Sequence, residues 1–315
     1  MPNESTCDVT LCIVNTNNRE LLRRCLETIV QTVHRVRYEV IVVDNASDDG
    51  SAAMVAATHP HVRLLVNPAR LGYGASHNRA ISCASGRYVL VLNEDMEMLE
   101  GAVDTMVAHA DGLSDLGVLG CRILNPDRTL QHSCFRFPSL AQELFEAVFP
   151  YTLLWPNSRL RSKMYWWPHD EDSDVDIVMG CCMLVPRAVI AQVGAFDPAF
   201  FVYSEEHDWC RRIRNAGLRV CFTPRAEMIH FGGQTSKRMS LRMALVQIDS
   251  RTRFFSKHHG SRQALLLRTI IAGGAALRAV GWSARLLLQG RANDNAAAKV
   301  TEYWSSLKFV TTGRK

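Results

Sequence analysis

The sequence predicts an α/β protein with a mostly parallel central sheet flanked by helices and a C-terminal helical appendage. First, short apolar runs alternate with amphipathic segments over residues 9–93, a pattern typical of parallel strands joined by crossover helices. Second, several of these runs end on polar residues, at the edge where parallel sheets bind ligands. Third, the alternation is absent from residues 263–289, which are almost entirely apolar.

The composition suits one large α/β domain, or a domain with an appendage, in a chain of 315 residues. With 47% hydrophobic and 21% charged residues, the chain can build a sizeable core. Its net charge of +5, from 36 basic and 31 acidic side chains, is too small to indicate a nucleic-acid partner.

The cysteines and the N-terminus both favour a cytoplasmic protein. Ten cysteines are scattered without a C-x-x-C pair, and Cys12 and Cys221 lie inside apolar runs, as expected where thiols stay reduced and act as small apolar side chains. The N-terminal segment lacks the basic and apolar regions of a signal peptide, so secretion is not expected. No uncharged stretch reaches the length of a membrane span.

Hydrophobic periodicity predicts four strands and three helices in the first part of the chain. Leu22, Leu26 and Ile29 share one face of the first helix, which is therefore expected to pack on the sheet. The predicted strands are residues 9–15, 38–44, 62–66 and 87–93, and the predicted helices are residues 19–34, 51–59 and 75–84.

Polar side chains stand at the ends of three of these strands. Asn15 ends the first strand, Asp44 ends the second, and Asn93, Glu94 and Asp95 follow the fourth. The carboxyl ends of parallel strands meet at one edge of the sheet, where ligands bind. Because a buried carboxylate is costly unless it is paired or holds a metal, the sequence predicts a functional site at this edge.

The second part of the chain is less regular. Residues 151–176 are expected to form a long loop or short helices near the mouth of the site. A strand over residues 177–185 and a short helix follow, and a helix over residues 204–217 ends on Gly217 as a left-handed cap. Two further short strands are predicted, residues 218–224 and 226–231.

The apolar segment 263–289 is interrupted only by Arg268, Arg278 and Arg285. At 100° per residue these arginines fall within roughly one quadrant of a helix. Such a helix lies in a membrane interface, or it packs on the domain or on a second subunit as a homodimer contact. Both interpretations stay open.

Six motifs in order resemble a known family. They are "VTLCIVNTNNRELLRRCLETI", "VIVVDNASDDGS", "NPARLGYGASHNRAI", "GRYVLVLNEDM", "MGCCMLVPRAVIAQVGAFDPAFFVYSEEHDWCRRIRNAGLRV" and "AEMIHFGG". Over roughly residues 8–260 the chain resembles the inverting nucleotide-sugar glycosyltransferases of family 2, which have a GT-A nucleotide-sugar-binding fold, and within them the bacterial rhamnosyltransferase-like branch.

The resemblance implies a catalytic domain over residues 1–238, with a nucleotide-binding half (8–125) and an acceptor half (126–238), and a helical segment over 239–315. Rhamnose carried on dTDP is the expected donor, with galactofuranose, glucose or N-acetylglucosamine on UDP as alternatives. The implied acceptor is a polysaccharide or polyprenol-linked oligosaccharide, at the inner face of the cytoplasmic membrane.

The resemblance also implies a Mn²⁺ or Mg²⁺ cofactor that neutralises the leaving diphosphate. Asp95 matches the metal-binding aspartate of a D-x-D-like motif, and His230 matches a further metal-side histidine. Asn93 and Glu94 are assigned to the nucleotide side. Glu94 stands where related sequences often have proline, and it is either a second ligand or outside the metal's coordination sphere.

The nucleotide is expected to contact three loops. By resemblance, Asp44 accepts a hydrogen bond from the base, and Asn15, Thr16 and Asn17 match an Asn-Tyr-Asn loop against the base and ribose. Arg70, Gly72 and Asn78 complete the implied nucleotide site. A dinucleotide fingerprint is excluded, because the glycine run lacks its third glycine and follows the third strand instead of the first.

An inverting displacement needs one carboxylate to take the proton of the acceptor hydroxyl. By resemblance to a Glu-Asp-x-Asp run, Glu206 is the base, Asp208 is the alternative, and Glu205 lies on the acceptor side. Gly180 and Trp209 are also assigned to the acceptor, although Trp209 is equally compatible with the core. The residues alone allow another interpretation, in which the three carboxylates stabilise a helix N-terminus.

The sequence argues against one other class of protein and leaves a second one open. A nucleotidyltransferase would need a glycine-rich phosphate loop after the first strand, and "NTNNRELL" has none. A non-catalytic sugar-nucleotide-binding protein stays open, because Glu94 and Glu206 depart from the family pattern.

Overall fold

The computed structural model describes residues 7–148, 165–232, 241–289 and 294–312. The chain forms two compact units, one of Met1–Arg136 with Trp166–Gln234 and the other of Phe137–Tyr165 with Thr235–Lys315. Part of the predicted acceptor half, residues 137–165, thus groups with the C-terminal helices. The functional division into a nucleotide-binding half and an acceptor half stays a prediction.

Strands and helices alternate through the first unit, whereas helices dominate the second. The strands are β1 (Val9–Asn15), β2 (Tyr38–Asp44), β3 (Arg63–Val66), β4 (Tyr88–Asn93), β5 (Met96–Met98), β6 (Leu116–Leu124), β7 (Leu130–Gln131), β8 (Cys134–Phe135), β9 (Ser173–Asp174), β10 (Ile177–Val178), β11 (Cys182–Pro186) and β12 (Arg219–His230). The helices are α1 (Arg19–Thr32), α2 (Ser51–Thr58), α3 (Tyr73–Ile81), α4 (Ala102–Asp111), α5 (Leu140–Val148), α6 (Arg187–Val193), α7 (Glu205–Asn215), α8 (Leu241–His259), α9 (Ser261–Gln289) and α10 (Asp294–Thr312).

The first unit is built on one sheet with the order β3-β2-β1-β4-β11-β6-β12-β5. β1 pairs in parallel with β2 and β4, and β2 with β3, as predicted. Every residue of β1 is buried, and α1 covers the sheet with Leu22, Leu26 and Ile29. The α/β class, with a central sheet flanked by helices and a C-terminal helical region, is therefore confirmed.

The other half of the sheet is mixed, not parallel. β11 runs antiparallel to β4 and β6, and β5 runs antiparallel to β12, while β12 is parallel to β6. β6 and α4 were not predicted. The mixed half matters for function because it places the end of β12 beside the end of β4.

Two predicted strand boundaries were wrong. The predicted strand over 177–185 is interrupted: β10 pairs with β8 in a separate small sheet, and β11 joins the main one. The interruption contains Gly180. The two strands predicted over 218–224 and 226–231 are one continuous strand, β12, with an irregular register between Thr223 and Glu227.

The second unit consists of α5, α8, α9 and α10 around a small core that includes Leu245, Phe309 and Val310. By length and composition, Ser261–Leu288 is apolar enough to cross a membrane, with a mean hydropathy of 1.5. The arginines that interrupt it are the reason no uncharged span was found in the sequence.

The arginine side of α9 packs inside the second unit. Arg268 Nε donates to the Val310 carbonyl of α10 at 3.1 Å, and Arg278 donates to the Glu146 carbonyl of α5. Two of the three arginines of the predicted basic stripe are therefore engaged by neighbouring helices, whereas Arg285 is exposed and lies over the Trp282 ring of the same helix, 5.1 Å from its centroid. The exposed apolar residues of α9 are Leu265, Leu266, Leu277, Val280, Leu287 and Leu288.

Candidate active site

The carboxyl ends of β1, β2 and β4 meet at one edge of the sheet, as predicted. Asn15 lies opposite Asp44, and Val14 lies opposite Asn93. Asn15 Nδ2 donates to Asp44 Oδ1 at 3.2 Å and to Ser47 Oγ at 3.1 Å. The buried Asn15 Oδ1 has no hydrogen-bond partner, so it is available to accept a hydrogen bond from a ligand.

The loop after β1 is tied to the loop after β2. Asn17 adopts a left-handed conformation with φ of 55°, and its backbone N–H donates to Ser47 Oγ at 3.0 Å. Asn17 Oδ1 accepts from the Asp48 N–H at 2.8 Å. Thr16, between the two asparagines, is partly exposed. The structure thus brings four predicted nucleotide residues, Asn15, Thr16, Asn17 and Asp44, to one place.

A buried asparagine pair, absent from the predicted site, supports the third loop. Asn67 Nδ2 donates to Asn45 Oδ1 at 2.8 Å, and Asn45 Nδ2 donates to the Leu71 carbonyl at 3.0 Å. This network holds the backbone of the loop that leads into α3. The predicted nucleotide residue Arg70 lies in the same loop and is exposed.

Gly72 and Asn78 serve contacts within the protein. A Cβ on Gly72 would lie 2.6 Å from the Phe201 carbonyl oxygen, and the Tyr73 N–H donates to that oxygen at 2.7 Å. Asn78 bonds both backbone groups of Phe196, at 2.8 and 3.0 Å. These two predicted nucleotide residues therefore brace α3 against the segment before α7, and their contact with a nucleotide stays a prediction.

Asp95 and His230 are 135 positions apart in sequence and meet because β5 pairs with the end of β12. Met96 lies opposite His230, and the Phe231 N–H donates to the Asp95 carbonyl at 2.9 Å. His230 Nε2 lies 3.1 Å from Asp95 Oδ1. Among the described residues, that oxygen is buried without a hydrogen-bond partner of suitable geometry, as expected for an atom that binds a ligand.

The imidazole of His230 is oriented with Nε2 toward Asp95. His230 Nδ1 lies 2.7 Å from Gln131 Oε1, a carbonyl oxygen that can only accept, so Nδ1 carries the hydrogen. Nε2 then has a lone pair, and Asn93 Nδ2 approaches it at 3.3 Å. A histidine whose second ring nitrogen is held by a hydrogen bond in this way is typical of metal ligands. Gln131 was not predicted, because it lies in a two-residue strand without a sequence signal.

This pair of donors fits a divalent cation. One carboxylate oxygen and one neutral imidazole suit Mn²⁺ better than Mg²⁺, which prefers oxygen alone. Within the described parts of the chain, no group of three or more His, Cys, Asp or Glu side chains is placed to hold a metal. A cation held here would therefore take its remaining ligands from substrate and water.

Glu94 lies next to this pair and is held by Asn18, whose Nδ2 donates to Glu94 Oε1 at 2.6 Å. Burial and the charge of Asp95 raise the pKa of Glu94 above its usual range, which distinguishes it from an ordinary surface glutamate.

The three carboxylates at the start of α7 have different surroundings. Asp208 is 0% exposed, and its Oδ2 accepts from Arg212 Nε at 2.8 Å. Glu205 is 4% exposed, with Oε2 unpartnered, and burial together with the charge of Glu206 raises its pKa well above the usual range. Glu206 is partly exposed, with His207 Nδ1 at 3.6 Å. Of the three, Glu206 is the one that a substrate can reach.

Gly180 lies next to Glu206, and Trp209 does not face the site. A Cβ on Gly180 would stand 3.6 Å from Glu206 Cβ and 3.7 Å from the Tyr73 hydroxyl. Trp209 is fully buried, with its Nε1 donating to the Gly194 carbonyl at 2.9 Å. The structure therefore favours the core interpretation of Trp209 over an acceptor contact. Tyr73, which was not predicted, lies between the two sides of the site.

The comparisons with known proteins agree with this geometry. Residues 10–150 match the family model "Glycosyl transferase family 2". The N-acetylglucosaminyl-diphospho-decaprenol L-rhamnosyltransferase of Mycobacterium tuberculosis is 29% identical over 257 residues, 76% of this chain and 81% of the relative. Rhamnosyltransferase WbbL of Escherichia coli is 23% identical over 231 residues, 71% of this chain and 83% of the relative.

A solved structure supports the fold. The mannosyltransferase PcManGT from Pyrobaculum calidifontis, in complex with GDP-Man and Mn²⁺, matches with a TM-score of 0.60 at 17% identity. The match covers 98% of this chain and 88% of that one. Together with the motifs and the site geometry, these findings show a glycosyltransferase with a GT-A fold that is similar to family 2 and, within it, to the rhamnosyltransferases.

Proposed function

We propose that the protein is an inverting glycosyltransferase that moves rhamnose from dTDP-rhamnose to a polysaccharide or polyprenol-linked oligosaccharide in the synthesis of a cell-surface glycan. The observation that carries the proposal is the 3.1 Å approach of His230 Nε2 to the otherwise unpartnered Asp95 Oδ1, at the sheet edge that holds Asp44. The mycobacterial and E. coli relatives are rhamnosyltransferases, which supports rhamnose as the sugar.

The nucleotide is assigned to the edge formed by Asn15, Asn17 and Asp44. Asp44 already accepts from Asn15 Nδ2 and from the Ser47 N–H, and each carboxylate oxygen keeps a further lone pair for a donor on the base. Asn15 Oδ1 supplies a second acceptor. These buried, preset acceptors support recognition of a nucleobase through its N–H groups.

The divalent cation is assigned to Asp95 and His230. When bound, it would supply positive charge that stabilises the departing diphosphate. Gln131 keeps the imidazole in the tautomer that leaves Nε2 free to coordinate. Glu94 lies next to this pair and is held by Asn18, whose Nδ2 donates to Glu94 Oε1 at 2.6 Å.

The base is assigned to Glu206. It takes the proton of the acceptor hydroxyl while the hydroxyl oxygen bonds to the anomeric carbon, and the bond from that carbon to the diphosphate oxygen breaks with its electron pair. The raised pKa of Glu205, which burial and the charge of Glu206 produce, favours a neutral neighbour that does not compete for the proton. Asp208 is the alternative base, but its ion pair with Arg212 already engages it.

A thermal-shift and turnover experiment tests this proposal. The full chain is screened with dTDP-rhamnose, UDP-galactofuranose, UDP-glucose and UDP-N-acetylglucosamine, each with and without Mn²⁺, because a ligand that binds only the native state raises Tm. We expect dTDP-rhamnose to raise Tm in the presence of Mn²⁺ and to be turned over with inversion. A UDP-sugar that stabilises instead would replace the donor, and binding without turnover would indicate a non-catalytic sugar-nucleotide-binding protein. No Mn²⁺-dependent shift with any donor would overturn the proposal.

We also propose that the exposed apolar side of α9 contacts the inner face of the cytoplasmic membrane. Leu287 and Leu288 are 86% and 87% exposed, and Leu265 is 66% exposed, while the sequence of α9 contains no acidic residue. Aliphatic side chains of this kind bury themselves at the boundary of headgroups and acyl chains. A membrane contact also suits a polyprenol-linked acceptor.

Sedimentation with vesicles of phosphatidylglycerol and phosphatidylcholine tests the membrane contact. Leu277→Asp should weaken binding. Raised salt should weaken it only in part, because Arg268 and Arg278 are engaged inside the unit and Arg285 alone of the three arginines is exposed. Val30→Asp is the control, at an aliphatic residue of the first unit that is 50% exposed, against 64% for Leu277, and it should bind like wild type. Binding unchanged by Leu277→Asp would refute the contact, and a dimer that Leu277→Asp makes monomeric would assign this side of α9 to a second subunit.

A further inference from the structure

The Tyr73 hydroxyl lies between two carbonyl oxygens from opposite sides of the site. It is 2.7 Å from the Gly180 oxygen and 3.1 Å from Asn93 Oδ1. Both partners can only accept, so the single hydroxyl proton serves them both, with the shorter bond to Gly180. Tyr73 belongs to α3, whereas Asn93 ends β4 and Gly180 precedes β11, so one side chain joins three elements.

Each of these partners touches a group assigned to the reaction. Asn93 Nδ2 approaches His230 Nε2 at 3.3 Å, and His230 Nε2 also lies 3.1 Å from Asp95 Oδ1. Gly180 lies beside Glu206, since a Cβ built on Gly180 would stand 3.6 Å from Glu206 Cβ.

The ring of Tyr73 is held in place from the sides. His77 packs against it with ring centroids 4.4 Å apart, and Phe196 lies edge-on at 5.9 Å. His77 is fully buried, and neither of its ring nitrogens has a hydrogen-bond partner. Burial lowers the pKa of His77 to about 3, so at neutral pH an uncharged imidazole packs against the Tyr73 ring. The hydroxyl position is therefore set by packing and not by the site itself.

We propose that Tyr73 is a positioning residue for sugar transfer, whose hydroxyl holds the Gly180 turn beside Glu206 and the Asn93 amide beside His230 in one fixed arrangement. This inference rests on the proposed function, because it takes Glu206 as the base and His230 as a cation ligand. Tyr73 itself need not touch the reacting atoms. It acts through Asn93 on the cation side and through Gly180 on the acceptor side.

Tyr73→Phe tests the role, since it keeps the packed ring and removes only the hydroxyl. We expect kcat to fall by about tenfold, the size expected for one lost hydrogen bond, with the donor KM changed by less than about twofold. The Mn²⁺ concentration for half of the maximal donor-dependent Tm shift should rise several-fold, because Asn93 no longer holds the imidazole in place. The second measurement requires no turnover.

Tyr88→Phe is the matched control. The Tyr88 hydroxyl donates to Asp111 Oδ1 at 2.8 Å, at the opposite edge of the sheet. This variant also loses one tyrosine hydrogen bond, and its Tm should fall comparably while kcat and the Mn²⁺ dependence stay at wild-type values. If Tyr73→Phe does not fold, Asn93→Ala removes the same link from its other end and should raise the half-saturating Mn²⁺ concentration likewise.

The outcomes distinguish a failure of the positioning role of Tyr73 from a failure of the proposed function. If the wild-type protein turns over a donor and Tyr73→Phe has the same kcat and the same Mn²⁺ dependence, the positioning role of Tyr73 is overturned and the proposed function is not. Equal changes in Tyr73→Phe and Tyr88→Phe would assign the effect to stability and would also overturn it. Wild-type protein without any Mn²⁺-dependent donor binding would overturn the proposed function, and this inference with it.

Discussion

Glu206 and Asp208 stand two positions apart at the start of α7, and both are candidates for the base. We expect Glu206→Gln and Asp208→Asn to change different quantities. Each substitution replaces a carboxylate with an amide of the same shape, so each removes a charge without creating a cavity. The surroundings of the two side chains then decide which loses activity and which loses stability.

Asp208 is completely buried and pairs with Arg212, whose Nη1 and Nη2 also donate to the Val193 and Ala195 carbonyls at 2.7 and 2.6 Å. Removing one charge of such a buried pair costs about 3–5 kcal/mol. The asparagine oxygen can still accept from Arg212 Nε, so we expect about 3 kcal/mol. At about 2–4 °C per kcal/mol for a unit of this size, Tm should fall by about 6–12 °C.

Glu206 is partly exposed and has no such buried pair, so Glu206→Gln should change stability by less than about 0.5 kcal/mol. An amide cannot take the acceptor proton. We therefore expect kcat to fall by about a hundredfold to ten-thousandfold, the contribution of a general base. Donor binding, which involves the opposite side of the site, should be unchanged.

The assay measures initial rates at saturating donor and Mn²⁺ below the Tm of both variants, and Tm with and without donor. The donor-dependent Tm shift shows whether the folded form of each variant still binds donor, so a loss of rate in a variant that binds can be assigned to the chemical step. Near-wild-type turnover by Glu206→Gln, together with a folded Asp208→Asn that binds donor and does not turn over, would refute the assignment and move the base to Asp208.

Three further predictions concern the cation site, a close backbone approach and a buried carboxylate. Asp95→Ala should abolish the Mn²⁺-dependent Tm shift by donor while the unliganded Tm changes little, and equal donor affinity with Mn²⁺ present would remove Asp95 from the site. Gly72→Ala should cost roughly 1–3 kcal/mol in chemical denaturation, because the new Cβ meets the Phe201 carbonyl at 2.6 Å, whereas Gly273→Ala meets no atom within 4 Å and should not destabilise. Asp104 accepts the N–H groups of residues 34–36 at 3.0 Å; burial raises its pKa, but these donors outweigh it and lower the pKa below its usual value. Asp104→Ala should therefore destabilise by about 3 kcal/mol at pH 7. The stabilisation that depends on the charge of Asp104 is present above about pH 4 and is lost as the pH falls through the lowered pKa, so the difference in Tm should become smaller under acidic conditions.

The parallel half of the fold was predictable because its signals are local. Runs such as Val9–Asn15 and Tyr38–Asp44 are apolar, end on a polar residue and alternate with an amphipathic helix. The short strand β5 and the two-residue strand β7 carry no comparable pattern. β5 depends on pairing with β12, which is distant in sequence. β7 pairs with the nearby end of β6, but two residues are too few to show a hydrophobic period.

The same division applies to the site. Asn15, Asp44 and Asn93 could be grouped from sequence, because parallel strands deliver their carboxyl ends to one edge. Gln131 and Tyr73 were missed, since one lies in a two-residue strand and the other resembles an ordinary core aromatic. Sequence also placed Trp209 beside the acceptor, but its ring packs 4.3 Å from Phe196 in the core.

The α/β class, the sheet edge that carries the candidate site and the resemblance to family 2 could be predicted from the residues, because they depend on local periodicity and on motifs in a fixed order. Which carboxylate is accessible and which side of α9 is exposed became clear only from the fold. Glu206 and Asp208 have similar chemistry and position, and burial against Arg212 separates them. Arg268 and Arg278 resemble part of a membrane-facing stripe until α10 and α5 engage them, because burial and hydrogen bonding depend on contacts between elements that are far apart in the chain.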